Sequence, residues 1–162
     1  MATKVGVIGA GGMLQYHAAG FKQAYAEIVA VADPAPGAAK KAAEKWGIPH
    51  HYESVDAMLA ERKEIQAVSV IVPNKFHAEL TIQCLNAGKH VFCEKPPALS
   101  APEVLEIIAA SKKSGKHVMF NFNNRARPES QAMMKYVEQG QVGKVNSAQA
   151  KWIRRTGIPG FG

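Results

Sequence analysis

Short apolar runs alternate with segments of helical periodicity along this chain of 162 residues. The runs show little polar alternation, which predicts strands that are covered on both faces. Between the runs, apolar residues recur every three or four positions, which predicts helices. The predicted strands are Val5–Ile8, Ile28–Ala32, Ala67–Val72, His90–Cys93 and His117–Phe122. Strands and helices that alternate across short turns predict an α/β fold with a doubly wound parallel sheet.

Residues with capping preferences mark the predicted helix ends. Ser54 is expected to cap a short helix, and Asn74 is expected to cap the helix after the third predicted strand, since both are preferred N-cap residues. Ser100 and Glu103 match the capping box Ser-x-x-Glu. Gly47 follows the helix that starts after the second strand and is expected to end it.

The pattern changes after Phe122. A helix is predicted over Pro128–Glu138, and a longer strand of mixed polarity over Lys144–Trp152. We interpret that strand as the entry to another domain. The predicted organisation is therefore a cofactor domain over residues 1–122 and only the start of a second, α+β domain over residues 123–162.

Composition narrows the class of protein. No apolar run approaches the ~20 residues that span a bilayer, and the chain enters a strand almost at once, which argues against a secretory signal. The two cysteines, Cys84 and Cys93, fall on a predicted helix and a predicted strand. They are expected to be buried and reduced, as in a cytoplasmic protein. Neither forms a Cys-x-x-Cys pair, so no metal site is predicted.

The formal net charge of +7 raises the question of an anionic partner. Lysines such as Lys40, Lys45 and Lys112 are scattered over predicted helix faces and last turns, where they complement the helix dipole. No basic run is interleaved with aromatic residues, so neither nucleic acid nor a membrane is predicted as a partner. A cofactor that carries phosphates accounts for part of the charge.

The first strand runs into a glycine-rich turn. Gly9 and Gly11 occupy the first two positions of Gly-x-Gly-x-x-Gly, and Leu14 stands at the third. The first glycine allows the tight turn and the second lets the backbone approach a pyrophosphate. A third glycine would allow close packing of helix on strand, so Leu14 implies that the helix packs on the sheet in a slightly different position. Gly12 adds room, and the free amides at the helix start, near Met13 and Leu14, would bind the phosphates. An empty strand-to-helix turn is the alternative.

Asp33 ends the second predicted strand, about 20 residues after the third motif position, the distance expected of a ribose-binding acid. A carboxylate there accepts hydrogen bonds from ribose hydroxyls and repels a 2′-phosphate. NAD is therefore favoured over NADP. Asp33 is also a candidate N-cap for the next helix, and the two roles are compatible.

Two later strands end on polar residues at the same predicted edge of the sheet, where open α/β folds bind ligands. Pro73 and Asn74 follow the third predicted strand, with His77 one turn into the helix; a helix cap and a surface histidine are the alternatives. Glu94 and Lys95 follow the fourth, before two prolines that stiffen the backbone. Lys95, if it lies beside a nicotinamide ring, is a candidate for acid–base catalysis.

Taken together, these segments resemble the Gfo/Idh/MocA oxidoreductase family. The resemblance covers nearly the whole chain. It rests on the segments Val7–Gly12, Ala32–Pro34, Pro73–Asn74 with His77, Ala87–Val91, Glu94–Pro96 and Phe122–Arg125. The Glu-Lys-Pro element after Ala-Gly-Lys-His-Val is the most specific of these. Asn121 departs from the family, in which many members have glycine at this position.

The resemblance implies an NAD(P)-binding Rossmann domain followed by an α+β domain, and hydride transfer between a sugar or polyol and nicotinamide. It assigns Lys95 a catalytic role near substrate and nicotinamide. It also places Asn123 and Arg125 near the nicotinamide end of the cleft. Trp152, Arg154 and Arg155 resemble the family's entry strand and a loop that reaches the active site in some members.

Members of the family are longer than this chain. The chain is therefore expected to be an N-terminal portion that binds NAD with little or no turnover, and the longer protein is expected to be a homo-oligomer. Two alternatives stay open. One is a non-catalytic NAD-binding sensor or interaction module, since fold does not settle function; the other is an NAD-dependent glycosidase of the same family.

Overall fold

A single parallel sheet organises the computed structural model, which describes residues 2–151, 153 and 155. Its strands within those residues are β1 (Lys4–Ile8), β2 (Glu27–Ala32), β3 (His50–Tyr52), β4 (Ala67–Val70), β5 (His90–Glu94) and β6 (Val118–Asn121). The strand order is β3-β2-β1-β4-β5-β6. The chain moves outward from β1 to β3 and then returns to start β4 on the other side of β1. This reversal creates the crevice in which doubly wound folds bind ligands.

Helices connect the strands. They are α1 (Leu14–Gln23), α2 (Ala38–Trp46), α3 (Val55–Glu61), α4 (His77–Asn86), α5 (Ala101–Ser114) and, in a second compact unit, α6 (Pro128–Glu138). The first unit is Met1–Asn121 and the second is Phe122–Gly162. None of the helices within 2–151 is long and apolar enough to cross a membrane.

Two apolar clusters make up the core of the first unit. Ile8 belongs to one cluster and its neighbour Val7 to the other, because successive side chains of a strand point to opposite faces of a sheet. Both faces are therefore covered, as the continuous apolar runs predicted. Cys84 and Cys93 are buried and free, also as predicted. Burial raises the pKa of each thiol to about 12, so both stay protonated.

Capping bonds form at two of the predicted helix starts. The Ser54 hydroxyl accepts from the Ala57 amide at 3.4 Å, and the Ser100 hydroxyl accepts from the Glu103 amide at 3.5 Å. The Glu103 carboxylate in turn accepts a hydrogen bond from the Leu99 amide at 2.9 Å. In a standard capping box the donor would be the amide of the N-cap residue, Ser100. Gly47 ends α2 in the left-handed conformation, as predicted.

Several boundaries differ from the prediction. Asn74 does not cap α4; it begins a 3₁₀ turn over Asn74–Phe76, and α4 starts at His77 without a side-chain cap. Strand β4 ends at Val70, because its register with β1 and β5 ends there. The edge strand β3 was missed, since its three residues, His-His-Tyr, contain no apolar run.

The second unit contains a 3₁₀ turn over Asn123–Ala126 and the predicted helix α6. The predicted strand over Lys144–Trp152 is wrong for residues 144–151, which form no strand. An extended segment becomes a strand only when another backbone pairs with it, and no described residue does so here. Trp152 and Arg154, which carry part of the resemblance, lie outside the described residues. That residues 123–162 begin an α+β domain stays a prediction.

Candidate cofactor site

A cleft of about 640 Å³ opens at the carboxyl edge of the sheet where β1, β2 and β4 end. Gly9, Gly11, Asp33 and Pro73 line it, so the structure brings four of the predicted cofactor residues together. The cleft lies at the reversal in strand order between β1 and β4. Its location agrees with the rule for ligand sites in open α/β sheets.

Gly9 is required by the fold itself. Its φ is +106°, and a Cβ atom there would lie 2.7 Å from the Ile71 carbonyl oxygen. Its amide donates to the Ala32 carbonyl at 2.8 Å, which holds the turn against β2. Only glycine meets both demands without strain.

Gly11 and Gly12 have a different reason to be glycine. A Cβ atom at either position would meet no atom within 4 Å, and neither residue adopts a positive φ. The amides of Gly11, Gly12 and Met13 donate no hydrogen bond among the residues described. The surface in front of α1 is thus open, with unpaired donors at a helix N-terminus, which is a setting that suits a phosphate group.

Leu14, at the third motif position, has a role in packing. Its side chain is 1% exposed and belongs to the apolar cluster that contains Val7 and Val31. The contact between α1 and the sheet at this position is therefore made by a leucine side chain rather than by a glycine. Its amide bonds the Gly11 carbonyl at 3.1 Å, which closes the turn.

Asp33 braces the glycine turn. Its Oδ2 accepts from the Ala10 amide at 2.8 Å and its Oδ1 from the Ala35 amide at 2.9 Å. Asp33 does not cap α2, whose N-cap is Gly37. Each carboxylate oxygen retains a lone pair for a further donor such as a ribose hydroxyl.

A smaller depression of about 400 Å³ lies on the other side of the glycine turn. Lys41 and Lys45 of α2 line it together with Gly11 and Gly12. The charges of these two lysines add positive potential on this side of the glycine turn.

His77 is buried rather than open to the cleft. Its ring is 1% exposed, with Nδ1 2.6 Å from the Pro96 carbonyl oxygen and Nε2 2.9 Å from the Val72 carbonyl oxygen. Because protein atoms occupy both nitrogens, His77 does not face a ligand in this arrangement. It joins the loop after β4 to the loop after β5. Asn74 lies half-buried beside it in the 3₁₀ turn.

Glu94 lies in a buried polar network that the sequence did not reveal. Its Oε1 accepts from His17 Nε2 at 2.9 Å and from Asn121 Nδ2 at 2.7 Å, and its Oε2 accepts from the Lys95 amide at 3.2 Å. His17 Nδ1 lies 2.9 Å from the Ser69 hydroxyl. This network joins α1, β4, β5 and β6 beneath the residue predicted to be catalytic.

The network decides the charge of Glu94. Burial works to raise the pKa of this carboxyl, but the hydrogen bonds from His17 and Asn121 outweigh burial and lower the pKa from its ordinary value. A buried carboxylate stays ionised only when donors satisfy it in this way. Ser69 is fully buried in β4, so the carboxylate, imidazole and hydroxyl do not form an accessible nucleophilic site.

Lys95 is exposed at the end of β5, before a cis peptide bond to Pro96. It lies on the same sheet edge as the cleft, with β4 between β5 and β1. Asn123 belongs to the second unit. In that unit the Arg125 guanidinium lies 5.1 Å from the Phe122 ring.

Lys89, within Ala87–Val91, is held at the opposite edge of the sheet. Its ammonium donates to the carbonyls of Lys63 at 3.1 Å and Ile65 at 2.7 Å. Burial and nearby lysines lower its pKa. Lys89 thus connects the end of α4 to the segment that enters β4. Within Ala87–Val91, which carries part of the family resemblance, Lys89 therefore has a structural role.

Comparison with known proteins places this geometry in a family. A family model described as an oxidoreductase family with an NAD-binding Rossmann fold matches residues 3–122. The D-glucoside 3-dehydrogenase of Escherichia coli (strain K12) is 38% identical over 136 residues, which are 84% of this chain and 38% of that protein. The inositol 2-dehydrogenase of Rhizobium meliloti (strain 1021) is 34% identical over 146 residues, covering 90% of this chain and 43% of that protein.

Among solved structures, the WlbA dehydrogenase of Bordetella pertussis, in complex with NADH and UDP-GlcNAcA, matches with a TM-score of 0.82 at 27% identity. The match covers 88% of this chain and 43% of that one. The chain thus spans less than half the length of each of these relatives. The family match and the strand order confirm the predicted family and fold, and the chain belongs to the Gfo/Idh/MocA oxidoreductases with their NAD-binding Rossmann fold.

Proposed function

We propose that this chain binds NAD across the carboxyl edge of its sheet, as the cofactor-binding part of a dehydrogenase that acts on a sugar or polyol. The pyrophosphate lies against the turn at Gly11 and Gly12, and the adenosine ribose lies against Asp33. The similar proteins are named as glucoside and inositol dehydrogenases, and one is solved with NADH. These names support the proposal for the longer protein.

The open glycine turn is the observation that carries the proposal. Gly9 is explained by contacts within the protein, whereas Gly11 and Gly12 have no such explanation. Unpaired amides supply donors that a pyrophosphate needs, and Lys41 and Lys45, which line the depression beside Gly11 and Gly12, add positive charge on that side of the turn. The residues present therefore fit the cofactor.

Gly11→Ala is the direct test of binding. A methyl group there meets no protein atom, so the fold is retained, but the methyl would lie between the backbone and the phosphates. We expect NADH affinity to fall at least about tenfold, the result of a lost close approach. Gly20→Ala in α1 is the matched control, because a Cβ there also meets open space. Equal NADH affinity in both variants would contradict the proposed position of the pyrophosphate against Gly11.

The proposed chemistry divides between the cofactor and the protein. Bound NAD would supply the hydride acceptor, and oxidation of an alcohol would also require a base for the hydroxyl proton. Lys95 contacts the substrate or the nicotinamide region and assists that proton transfer. Glu94 and its network orient the main chain that carries Lys95, through the bond to the Lys95 amide.

Activity is assigned to a longer protein, and the chain alone is expected to bind NAD with little turnover. A spectrophotometric assay of NADH formation across sugars and polyols tests this. Rapid turnover by the 162-residue chain would contradict it. NAD-dependent cleavage of glycosides without net NADH formation would favour the glycosidase instead. A cytoplasmic location and a homo-oligomeric longer protein are part of the same proposal.

A further inference from the structure

A second carboxylate lies beside Asp33 at the edge of the cleft. Ala32 of β2 pairs with Tyr52 of β3, and the Asp33 amide donates to the Tyr52 carbonyl at 3.1 Å. Asp33 and Glu53 are therefore the residues that directly follow the last paired positions of β2 and β3, and adjacent strands lie about 4.8 Å apart. Both residues line the same cleft.

Glu53 also occupies the N-terminus of α2. Its Oε1 accepts from the Gly37 amide at 3.3 Å, and Gly37 is the N-cap of that helix. Amides at helix N-termini are natural donors to phosphate groups. The carboxylate takes the donor that a phosphate in this part of the cleft would otherwise use.

We propose that Glu53 is a second specificity determinant that, together with Asp33, excludes the 2′-phosphate of NADP. This inference rests on the proposed function, since it assumes that the adenosine ribose lies against Asp33. A 2′-phosphate on that ribose would lie between two carboxylates, one that directly follows β2 and one that directly follows β3. The sequence motif contains only Asp33, whereas Glu53 is assigned from the β2–β3 register, its position in the cleft and its bond to the Gly37 amide.

The charges around the cleft support a role distinct from that of Asp33. Both Asp33 oxygens already accept backbone amides, so this carboxylate is needed to hold the glycine turn. Glu53 makes a single longer bond and is exposed. Its negative charge therefore acts on the ligand at little cost to the fold. Lys41 and Lys45 line the separate depression beyond the glycine turn.

Glu53→Gln tests the inference, because it removes the charge and keeps the size and the acceptor oxygen. The affinities of NADH and NADPH are measured by titration calorimetry on the 162-residue chain. We expect NADPH to bind about fivefold more tightly, from the loss of one close charge repulsion, while NADH changes by less than about twofold. The gain shrinks as salt rises, because salt screens the repulsion.

Glu79→Gln is the matched control, since Glu79 also lines the cleft but from α4. We expect this variant to leave the ratio of NADPH to NADH affinity within about twofold of the unaltered chain. An unchanged ratio in Glu53→Gln, or an equal shift in both variants, would overturn the role of Glu53 while leaving NAD binding intact. No NADH binding by the unaltered, folded chain would instead overturn the proposed function and this inference with it.

Discussion

The glycine turn and the Glu94 network lie on the same edge of one sheet but are built in opposite ways. The turn is made of backbone, with Gly9 fitted tightly to its neighbours and Gly11 left open. The network is made of side chains, in which His17 and the half-buried Asn121 donate to the buried Glu94 carboxylate and Ser69 bonds His17 in turn. The first region therefore leaves open space and unpaired amides at the surface, whereas the second holds the backbone at Lys95 from within the protein.

The largest effect is expected from breaking the network. Glu94→Ala leaves His17 and Asn121 without their buried acceptor, which costs about 3 kcal/mol of the free energy of unfolding. Urea denaturation measures it. Glu44→Ala, on the exposed face of α2, is the control and should stay within about 0.5 kcal/mol. Equal stability of the two variants would contradict a structural role for the network.

The next effect separates the two glycines of the turn. Gly9→Ala forces a positive φ on alanine and brings its Cβ to 2.7 Å from the Ile71 carbonyl oxygen. We expect about 2 kcal/mol of destabilisation, whereas Gly11→Ala stays within about 0.5 kcal/mol and loses NADH affinity instead. Thermal or urea unfolding of both variants checks the contrast. A Gly11→Ala variant as unstable as Gly9→Ala would show that Gly11, like Gly9, is packed tightly against the rest of the protein.

The two regions also differ in how far the sequence predicted them. The parallel sheet, most helix ends and the cleft residues Gly9, Gly11 and Asp33 follow from local patterns, because turn, cap and strand signals lie within a few residues of one another. The network does not, since His17 and Glu94 are 77 positions apart and no spacing links them. The burial of His77 was not predicted for the same reason, because its two carbonyl partners come from two loops that follow different strands. Glu53 is meaningful only once β3 is known to pair with β2.

A smaller effect is expected from the departure at Asn121. Its amide donates to Glu94 Oε1 at 2.7 Å, so Asn121→Ala should cost about 1.5 kcal/mol, typical of a hydrogen bond to a charged group. Asn86→Ala, at the exposed end of α4, is the matched control. Urea denaturation of both variants measures the difference in the free energy of unfolding. If Asn121→Ala loses no more stability than Asn86→Ala, the hydrogen bond from Asn121 to Glu94 does not stabilise the fold.

The smallest effect is the pH dependence that Glu94 contributes. Its folded-state pKa lies below the ordinary value of 4.5, so its contribution is fully present above that pH and is lost as pH falls through the folded pKa. The stability difference between the unaltered chain and Glu94→Ala should therefore shrink below about pH 4.5. Urea titrations from neutral to acidic pH measure it. A difference that stays constant over this range would mean that Glu94 is not ionised in the fold.

Titration calorimetry of NADH into the folded 162-residue chain tests the central claim most directly. The account predicts saturable binding of one NADH per chain, weakened at least about tenfold in Gly11→Ala and retained in Gly20→Ala. A chain that circular dichroism shows to be folded, yet that releases no binding heat with NADH and gives no shift in unfolding temperature, would contradict it.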